Sequence, residues 1–379
     1  MDRIAIIKSN YTPYGGGEKY ALRTVETFSR RGFKVDVLTS TQQEWPKNEG
    51  EVSYIYFPVI KINKFAELIS FNSEINKYLA ENWKTYKCIL GMERTTLQTH
   101  IRAGGGCHKG WLERRKKYCS SLKNLSFMIN PRHIAANILE EKAFKNPSVK
   151  RVFANSDMVR EEIVKYYGVD ERKIEVTHNG VEWEKFSESF EEAIERRHDL
   201  RRGMNLDPDK FHFLFVGSGF ERKGLKKAII ALKELPEDVV LLVVGRDEKQ
   251  QKYLRLSERL KMKGRVVFYG PRADVTTFYQ IADAFVLPTI YDPFSNATLE
   301  ALAMGLFTVT TTSNGCAEVM KDFAGAIIQD TGDIDAMVEA MSKGVRSDHP
   351  RRQIRESVKH LTFQKQLTKM VELCMKDMI

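Results

Sequence analysis

Residues 292–300, Asp-Pro-Phe-Ser-Asn-Ala-Thr-Leu-Glu, place two carboxylates on either side of a Ser295-Asn296 pair of the kind that starts helices. An apolar run and a Gly305 stop follow. Amides at such a helix start, from Ser295 to Thr298, suit the oxygens of a diphosphate, and the two acids can accept hydrogen bonds from vicinal hydroxyls on a sugar and a ribose. Paired acids also serve glycosidases. Here a helix N-terminus and nearby cations lower the carboxyl pKa values, which disfavours a general acid. Taken alone, Asp292 and Glu300 read as ordinary helix-associated acids.

Three glycine clusters offer other chemistry. Gly15-Gly16-Gly17 lies between a predicted strand and a helix, where its amides can approach a phosphate or simply turn the chain. The run Gly-Ser-Gly-Phe-Glu-Arg-Lys-Gly over 217–224 lacks the Lys-Ser/Thr of a Walker loop after its last glycine and the third glycine of a dinucleotide fingerprint. It remains a glycine turn carrying Arg222 and Lys223, two fixed cations able to stabilise a departing diphosphate. At a helix start they would oppose the macrodipole, so a merely solvated role is disfavoured. Gly104-Gly105-Gly106 lies beside His100, Cys107 and His108 without metal-ligand spacing and is predicted to be a loop. Asp207-Pro208-Asp209 and Asp333-Ile334-Asp335 match an acid-x-acid metal pattern but are predicted as a turn and a helix cap.

Positioning these residues requires loops at the ends of strands. Short β-branched runs alternate with longer amphipathic stretches throughout, the pattern of βαβ units on parallel sheets. Strands are predicted at 3–8, 34–38, 54–57, 88–90, 151–154 and 174–177, then at 211–216, 239–244, 266–269, 284–287 and 308–311. The class is α/β, with two Rossmann-like doubly wound domains facing across a cleft, and a ligand is expected there at the strand C-termini. The boundaries predicted are 1–190 for the first domain, 191–210 for a linker, 211–360 for the second domain and 361–379 for a C-terminal helix packing back toward the first.

The chain has 379 residues, 42% hydrophobic and 29% charged, with 24 Gly and 11 Pro. That length allows two domains with full cores and excludes disordered and collagen-like classes. No run reaches the roughly 18 apolar residues of a membrane span, and the apolar start is too short for a secretory signal. Five cysteines, Cys88, Cys107, Cys119, Cys316 and Cys374, form no CxxC pair, so neither a disulfide framework nor a zinc site is expected, and a reducing cytoplasm fits. The net charge of +10 is uneven, with twelve Lys and Arg against three acids in residues 101–151, including Arg114, Arg115, Lys116 and Lys117. Such a stripe suits nucleic acid, an anionic membrane surface or a phosphorylated acceptor, or is a solvated helix face.

Taken together, Gly15 to Gly17, Arg222-Lys223 and the acid-x7-acid run from Asp292 to Glu300 resemble the retaining glycosyltransferases of family four, which have the GT-B fold. Within that family the likeness is greatest to members that extend the heptose region of bacterial lipopolysaccharide core. It rests on the run 217–224, Gly-Pro-Arg-Ala-Asp-Val at 270–275 and the stretch from Gly91 to His108. The resemblance implies that Arg222 and Lys223 neutralise the leaving diphosphate and that Glu300 holds the ribose. Asp292, with the amides of Phe294, Ser295, Asn296 and Ala297, would hold the donor sugar and phosphate. Gly217, Gly270 and Arg272 would border the nucleotide, and Gly16 and Gly17 would close over the diphosphate. His100 stands in the region of the family's cleft-facing His or Asp and takes that catalytic role. Asp292 replaces the usual Glu, one methylene longer, so the donor sugar is open.

The function expected is transfer of a hexose from a nucleotide sugar, UDP-glucose or a relative, to a lipopolysaccharide core or similar glycolipid. No metal or other cofactor is expected, and neither is a nucleic-acid partner. The enzyme is expected in the cytoplasm, peripherally associated with the inner membrane, with Arg114, Arg115, Lys116 and Lys117 meeting either the anionic acceptor or the membrane. Two other classes fit less well: a sugar-nucleotide 2-epimerase on the same fold, and a nucleic-acid binder, for which the stacking aromatics Trp111, Tyr118 and Phe127 are sparse.

Overall fold

In the computed structural model, which describes residues 2–10, 16–41, 45, 50–346 and 348–378, the β-branched runs fold into two parallel sheets. The first comprises β1 (Arg3–Ile7), β2 (Lys34–Thr39), β3 (Val52–Tyr56), β4 (Cys88–Gly91), β5 (His100–Ala103), β6 (Arg151–Ala154) and β7 (Ile174–Val176). Its order is β3-β2-β1-β4-β5-β6-β7. The second comprises β8 (Phe211–Val216), β9 (Val239–Val244), β10 (Val266–Gly270), β11 (Ala284–Leu287), β12 (Phe307–Thr311) and β13 (Gly325–Ile328), in the order β10-β9-β8-β11-β12-β13. All six residues of β9, Val-Val-Leu-Leu-Val-Val, are buried. Continuous apolar sequence of that kind marks a parallel strand covered on both faces.

The chain folds as two compact units, one of Met1–Asn179 with Gln364–Ile379 and the other of Gly180–Phe363. In the first unit, Phe71, Ile75 and Leu79 recur at helical spacing on the helix Lys64–Asn82 and pack on Ala5, Ile7, Leu38 and Ile89. The helix Phe363–Lys376 returns the chain to this unit: Glu372 pairs with Arg31 at 3.3 Å and Lys369 with Glu175 at 2.6 Å. In each sheet the strand order reverses once, between β1 and β4 and between β8 and β11. Loops leaving the C-terminal ends of such strand pairs diverge and open a ligand crevice.

The crossing expected as a linker over 191–210 is instead integral to the second unit. The helix Trp183–Gly203 buries Phe186, Phe190 and Ala193 in that unit's core, and Arg201 donates to Asp283 at 2.6 Å and to the Ile281 carbonyl at 2.8 Å. Two strands lie outside the expected set, β5 and β13. The basic stretch folds as the helices His108–Lys116, Ser121–Met128 and Pro131–Phe144. Asp207 accepts from the Asp209 amide at 3.1 Å and Asp333 from the Ala336 amide at 2.9 Å, the hydrogen bonds of a turn and a helix cap.

Candidate active site

The reversal between β8 and β11 gathers most of the predicted donor residues. After β8 the chain turns through Gly217 and Gly219 into a single helical turn, Phe220–Lys223, and leaves it through Gly224. Gly219 and Gly224 are left-handed, with φ of 76° and 79°. A Cβ on Gly224 would stand 2.0 Å from the Pro288 carbonyl oxygen, so only glycine allows this loop to press against the one leaving β11. Asp247 fixes the other side by accepting from the Phe220 amide at 2.6 Å. The Arg222 carbonyl joins the two loops, receiving the Ile290 amide at 2.8 Å and the Thr289 hydroxyl at 3.0 Å. Arg222 and Lys223 close this single turn and stand directly before Gly224, which also caps the start of the helix Leu225–Leu232, so they precede a helix start as the sequence suggested.

The Lys223 ammonium is ion-paired with Asp292 Oδ2, and the Arg222 guanidinium lies 3.6 Å from the same oxygen while donating to the Tyr291 carbonyl at 3.0 Å. Burial alone would push the Asp292 carboxyl up, but Lys223, Arg222 and the Phe294 amide together hold it below the usual carboxylate range. Burial, assisted by Arg222, draws the Lys223 ammonium down despite its partner. The side chains of Lys223 and Asp292 are each 10% exposed, whereas that of Arg222 is 39% exposed. Two cations and one anion leave a net positive charge that is open to an anionic ligand through Arg222.

Helix Asn296–Ala303 begins beside this pair, its Ser295 side chain accepting from the Thr298 amide at 3.3 Å. Asn314, which sequence reasoning missed, organises the start. Its side-chain oxygen accepts the amides of Ser295 and Cys316 at 3.2 and 3.1 Å, and its nitrogen donates to Thr298 and Thr310 at 3.0 and 2.9 Å. The only sequence signal was an Asn-Gly turn after β12. The amides of Phe294 and Ser295 are therefore engaged within the protein. Glu300, one turn further on, accepts the hydroxyl of buried Tyr279 at 2.9 Å, which orients its carboxylate. Gly217 lies against Lys223, to which an added Cβ would approach within 3.3 Å. Gly270 ends β10 and exposed Arg272 follows it, two strands from β8 along the same C-terminal edge of the sheet.

In the first unit, Gly16 and Gly17 are exposed and open the helix Gly16–Arg30 after β1, while Gly15 lies outside the described residues. Lys8, also missed, follows β1 and reaches Glu93 at 2.6 Å and Glu18 at 3.7 Å. Burial opposes its charge, but the two carboxylates hold the ammonium above its ordinary range.

His100 requires a correction. It lies at the N-terminal end of β5, the end opposite the ligand-binding edge of a parallel sheet, and is fully buried. Its ring nitrogens face Cys88 at 3.3 Å and Thr99 at 2.9 Å on one side and Asp377 at 3.2 Å on the other. It is not positioned to meet a substrate.

The basic run also divides. Arg114 is paired with buried Glu162, and Arg115 lies over the rings of Phe127 and Trp111 at 4.1 and 5.0 Å. Lys116, in an ion pair with Glu113 at 2.6 Å, and Lys117 are exposed. Beside them the helix Ser121–Met128 buries no residue, and Leu122, Leu125, Met128 and Ile129 are exposed, Leu122 by 83%. Among the described residues no helix is long and apolar enough to cross a membrane.

Comparisons with known proteins cover nearly the whole chain. Residues 14–185 match the model of Glycosyltransferase Family 4, and residues 196–361 match that of Glycosyl transferases group 1. The chain is 24% identical over 364 residues to the lipopolysaccharide glucosyltransferase WaaG of Escherichia coli (strain K12), covering 94% of this chain and 93% of that protein. To the lipopolysaccharide core biosynthesis glycosyltransferase LpsE of Rhizobium meliloti (strain 1021) it is 31% identical over 156 residues, covering 41% and 46% of the two proteins. A crystal structure of WaaG superposes with a TM-score of 0.81 at 23% identity over 98% of this chain and 99% of that one. Anabaena Alr3699/HepE in complex with UDP and glucose gives 0.71 at 14% identity over 99% and 100%. At these identities the structural likeness establishes the fold.

Proposed function

The chain belongs to the group 1, family 4 glycosyltransferases, a retaining family of hexose-transferring enzymes, and from that premise we propose that it moves a hexose from a UDP-linked sugar to a lipopolysaccharide core or similar glycolipid. The observation that carries the donor half is the Arg222, Lys223 and Asp292 cluster at the β8–β11 reversal. The UDP seen with HepE, a protein of the same fold, supports a uridine donor.

Arg222 and Lys223 stabilise charge on the diphosphate as the bond from the sugar's anomeric carbon to phosphate oxygen breaks. Asp292 keeps the Lys223 ammonium in place and accepts from a sugar hydroxyl, and Glu300, oriented by Tyr279, accepts from the ribose. The acceptor hydroxyl attacks the same face of the sugar. Its proton passes to an oxygen of the departing diphosphate as the new glycosidic bond forms, so retention requires no separate protein base.

For the acceptor half, the exposed Lys116 and Lys117 beside Leu122, Leu125, Met128 and Ile129 support docking on an anionic membrane surface that carries the glycolipid. A panel of nucleotide sugars screened by thermal shift tests the donor, since a bound donor raises the melting temperature by mass action. UDP-hexoses are expected to shift wild type, and Lys223→Ala and Glu300→Ala are expected to lose both the shift and transfer. Wild-type turnover in both variants would remove the proposed site. Incubation with the donor alone should yield no epimer.

A further inference from the structure

Cys88 opens β4, His100 opens β5, and Cys374 lies near the end of the helix Phe363–Lys376, so three distant segments converge in the first unit. All three side chains are fully buried, and their ligating atoms lie within 4.8 Å of one another. Cys88 Sγ is 3.3 Å from His100 Nδ1. On the other side of the ring, Nε2 is 3.2 Å from Asp377 Oδ2, and Asp377 is itself held by two hydrogen bonds from Arg151 at 2.8 and 2.9 Å. A carboxylate on Nε2 fixes the ring and directs the Nδ1 lone pair at the thiols.

We propose that Cys88 Sγ, Cys374 Sγ and His100 Nδ1 bind zinc(II), joining the C-terminal helix to the edge of β4 and β5. With Zn–S near 2.3 Å and Zn–N near 2.0 Å, tetrahedral geometry separates ligand atoms by roughly 3.4–3.8 Å, close to the observed sulfur-to-nitrogen spacing. Two thiolates and a neutral imidazole offset the dication, so each ion that enters releases two protons and buries no net charge. Thr99 Oγ1, 2.9 Å from Nδ1, is held by the Ile89 amide and carbonyl at 2.8 and 3.2 Å, so the three protein ligands leave the fourth position open. Asp377 on Nε2 completes a carboxylate–histidine–metal arrangement. Ligand spacing in sequence misses such a site, because residues 88, 100 and 374 share no local motif.

The test uses full-length protein expressed with zinc and freed of loosely held metal, analysed by mass spectrometry of its metal content. About one zinc per chain is expected for wild type and for the control Cys119→Ser, falling to background in the Cys88→Ser/Cys374→Ser double variant. Cobalt(II) in place of zinc should give wild type a thiolate-to-cobalt charge-transfer band, a readout that depends only on folded wild type. Asp377→Asn should weaken zinc roughly 10–100-fold in competition with a chromogenic chelator. Two results would overturn the site: wild-type zinc no higher than in the double variant with no cobalt band, or a Cys88–Cys374 disulfide in protein isolated under reducing conditions.

Discussion

Lys223 and Asp292 tolerate burial only in each other's company. Lys223→Ala leaves the Asp292 carboxylate with Arg222 at 3.6 Å and the Phe294 amide as its remaining stabilising neighbours. Stripping one partner from a buried ion pair costs about 3–5 kcal/mol, and removing one group that stabilises transition-state charge slows turnover about 10²–10³-fold. Arg222→Ala removes a more exposed cation and should lower the rate comparably while costing much less stability. Initial rates with a UDP-hexose, measured beside thermal denaturation of both variants, separate the two effects; an Arg222→Ala enzyme as fast as wild type would contradict the assigned role. The adjacent cations were legible in sequence because two glycines bracket them in a strand-to-helix loop. Asn314 was not, because its four hydrogen bonds converge from three segments and depend on the tertiary fold. His100 misled because a histidine near a glycine loop signals chemistry whichever end of its strand it occupies.

At the scale of elements, Gly224 and Gly264 form a natural comparison, since both are left-handed, with φ of 79° and 83°. A Cβ at Gly224 strikes the Pro288 carbonyl, whereas at Gly264 nothing lies within 4 Å. Gly264→Ala should therefore cost only the backbone strain, about 1–2 kcal/mol. Gly224→Ala adds a collision between the two site loops and should cost about 2–4 kcal/mol with loss of transfer. Chemical denaturation of the pair checks this, and equal losses would refute the contact. On β8, buried His212 carries a second prediction. Burial, assisted by Arg201 and opposed by Asp283 at 3.9 Å, lowers its pKa to about 4, and among the described residues its Nδ1 has no hydrogen-bond partner. The unfolded chain, with histidine near 6.5, binds this proton more readily, so the contribution is full above that value and is lost as pH falls toward 4, amounting to about 3 kcal/mol. Melting temperatures measured from pH 7 to 4 should fall more steeply for wild type than for His212→Gln. Strands such as β9 were legible because uninterrupted apolar runs have few other uses. β5 was hidden by His100 and Arg102, polar residues buried against Asp377 and Asn179 from far along the chain. The helix Trp183–Gly203 was hidden by the charges on its solvent side, which obscure the buried Phe186, Phe190 and Ala193.

Across the whole molecule, the net charge of +10 gathers in the first half of the sequence, and its densest stretch folds as three helices bearing a row of exposed apolar side chains. Composition revealed the charge, but the fold decides which cations can act at a distance. Arg114 is held against buried Glu162 and Arg115 over aromatic rings, while Lys116, in an exposed pair with Glu113 at 2.6 Å, and Lys117 face solvent beside Leu122 and Leu125. A solvated helix face would present charge without this apolar row, and a nucleic-acid groove would expose aromatic rings for base stacking; here Trp111 and Phe127 are half-buried against Arg115 and the exposed side chains are aliphatic. A basic residue near an anionic bilayer contributes about 1 kcal/mol, so Lys116→Ala/Lys117→Ala should weaken binding to vesicles containing anionic lipid by about thirtyfold. Raising salt should reduce wild-type binding toward the level of the double variant, while replacing Leu122 and Leu125 with Ser should weaken binding at every salt concentration. Neither pair belongs to the donor cluster of Arg222, Lys223, Asp292 and Glu300, so turnover of a soluble acceptor analogue should remain near wild type in both. Vesicle sedimentation across an ionic-strength series measures these effects. Undiminished binding in both variants would place the membrane contact elsewhere, whereas loss of binding together with loss of soluble-acceptor turnover would mean that these helices hold the acceptor itself.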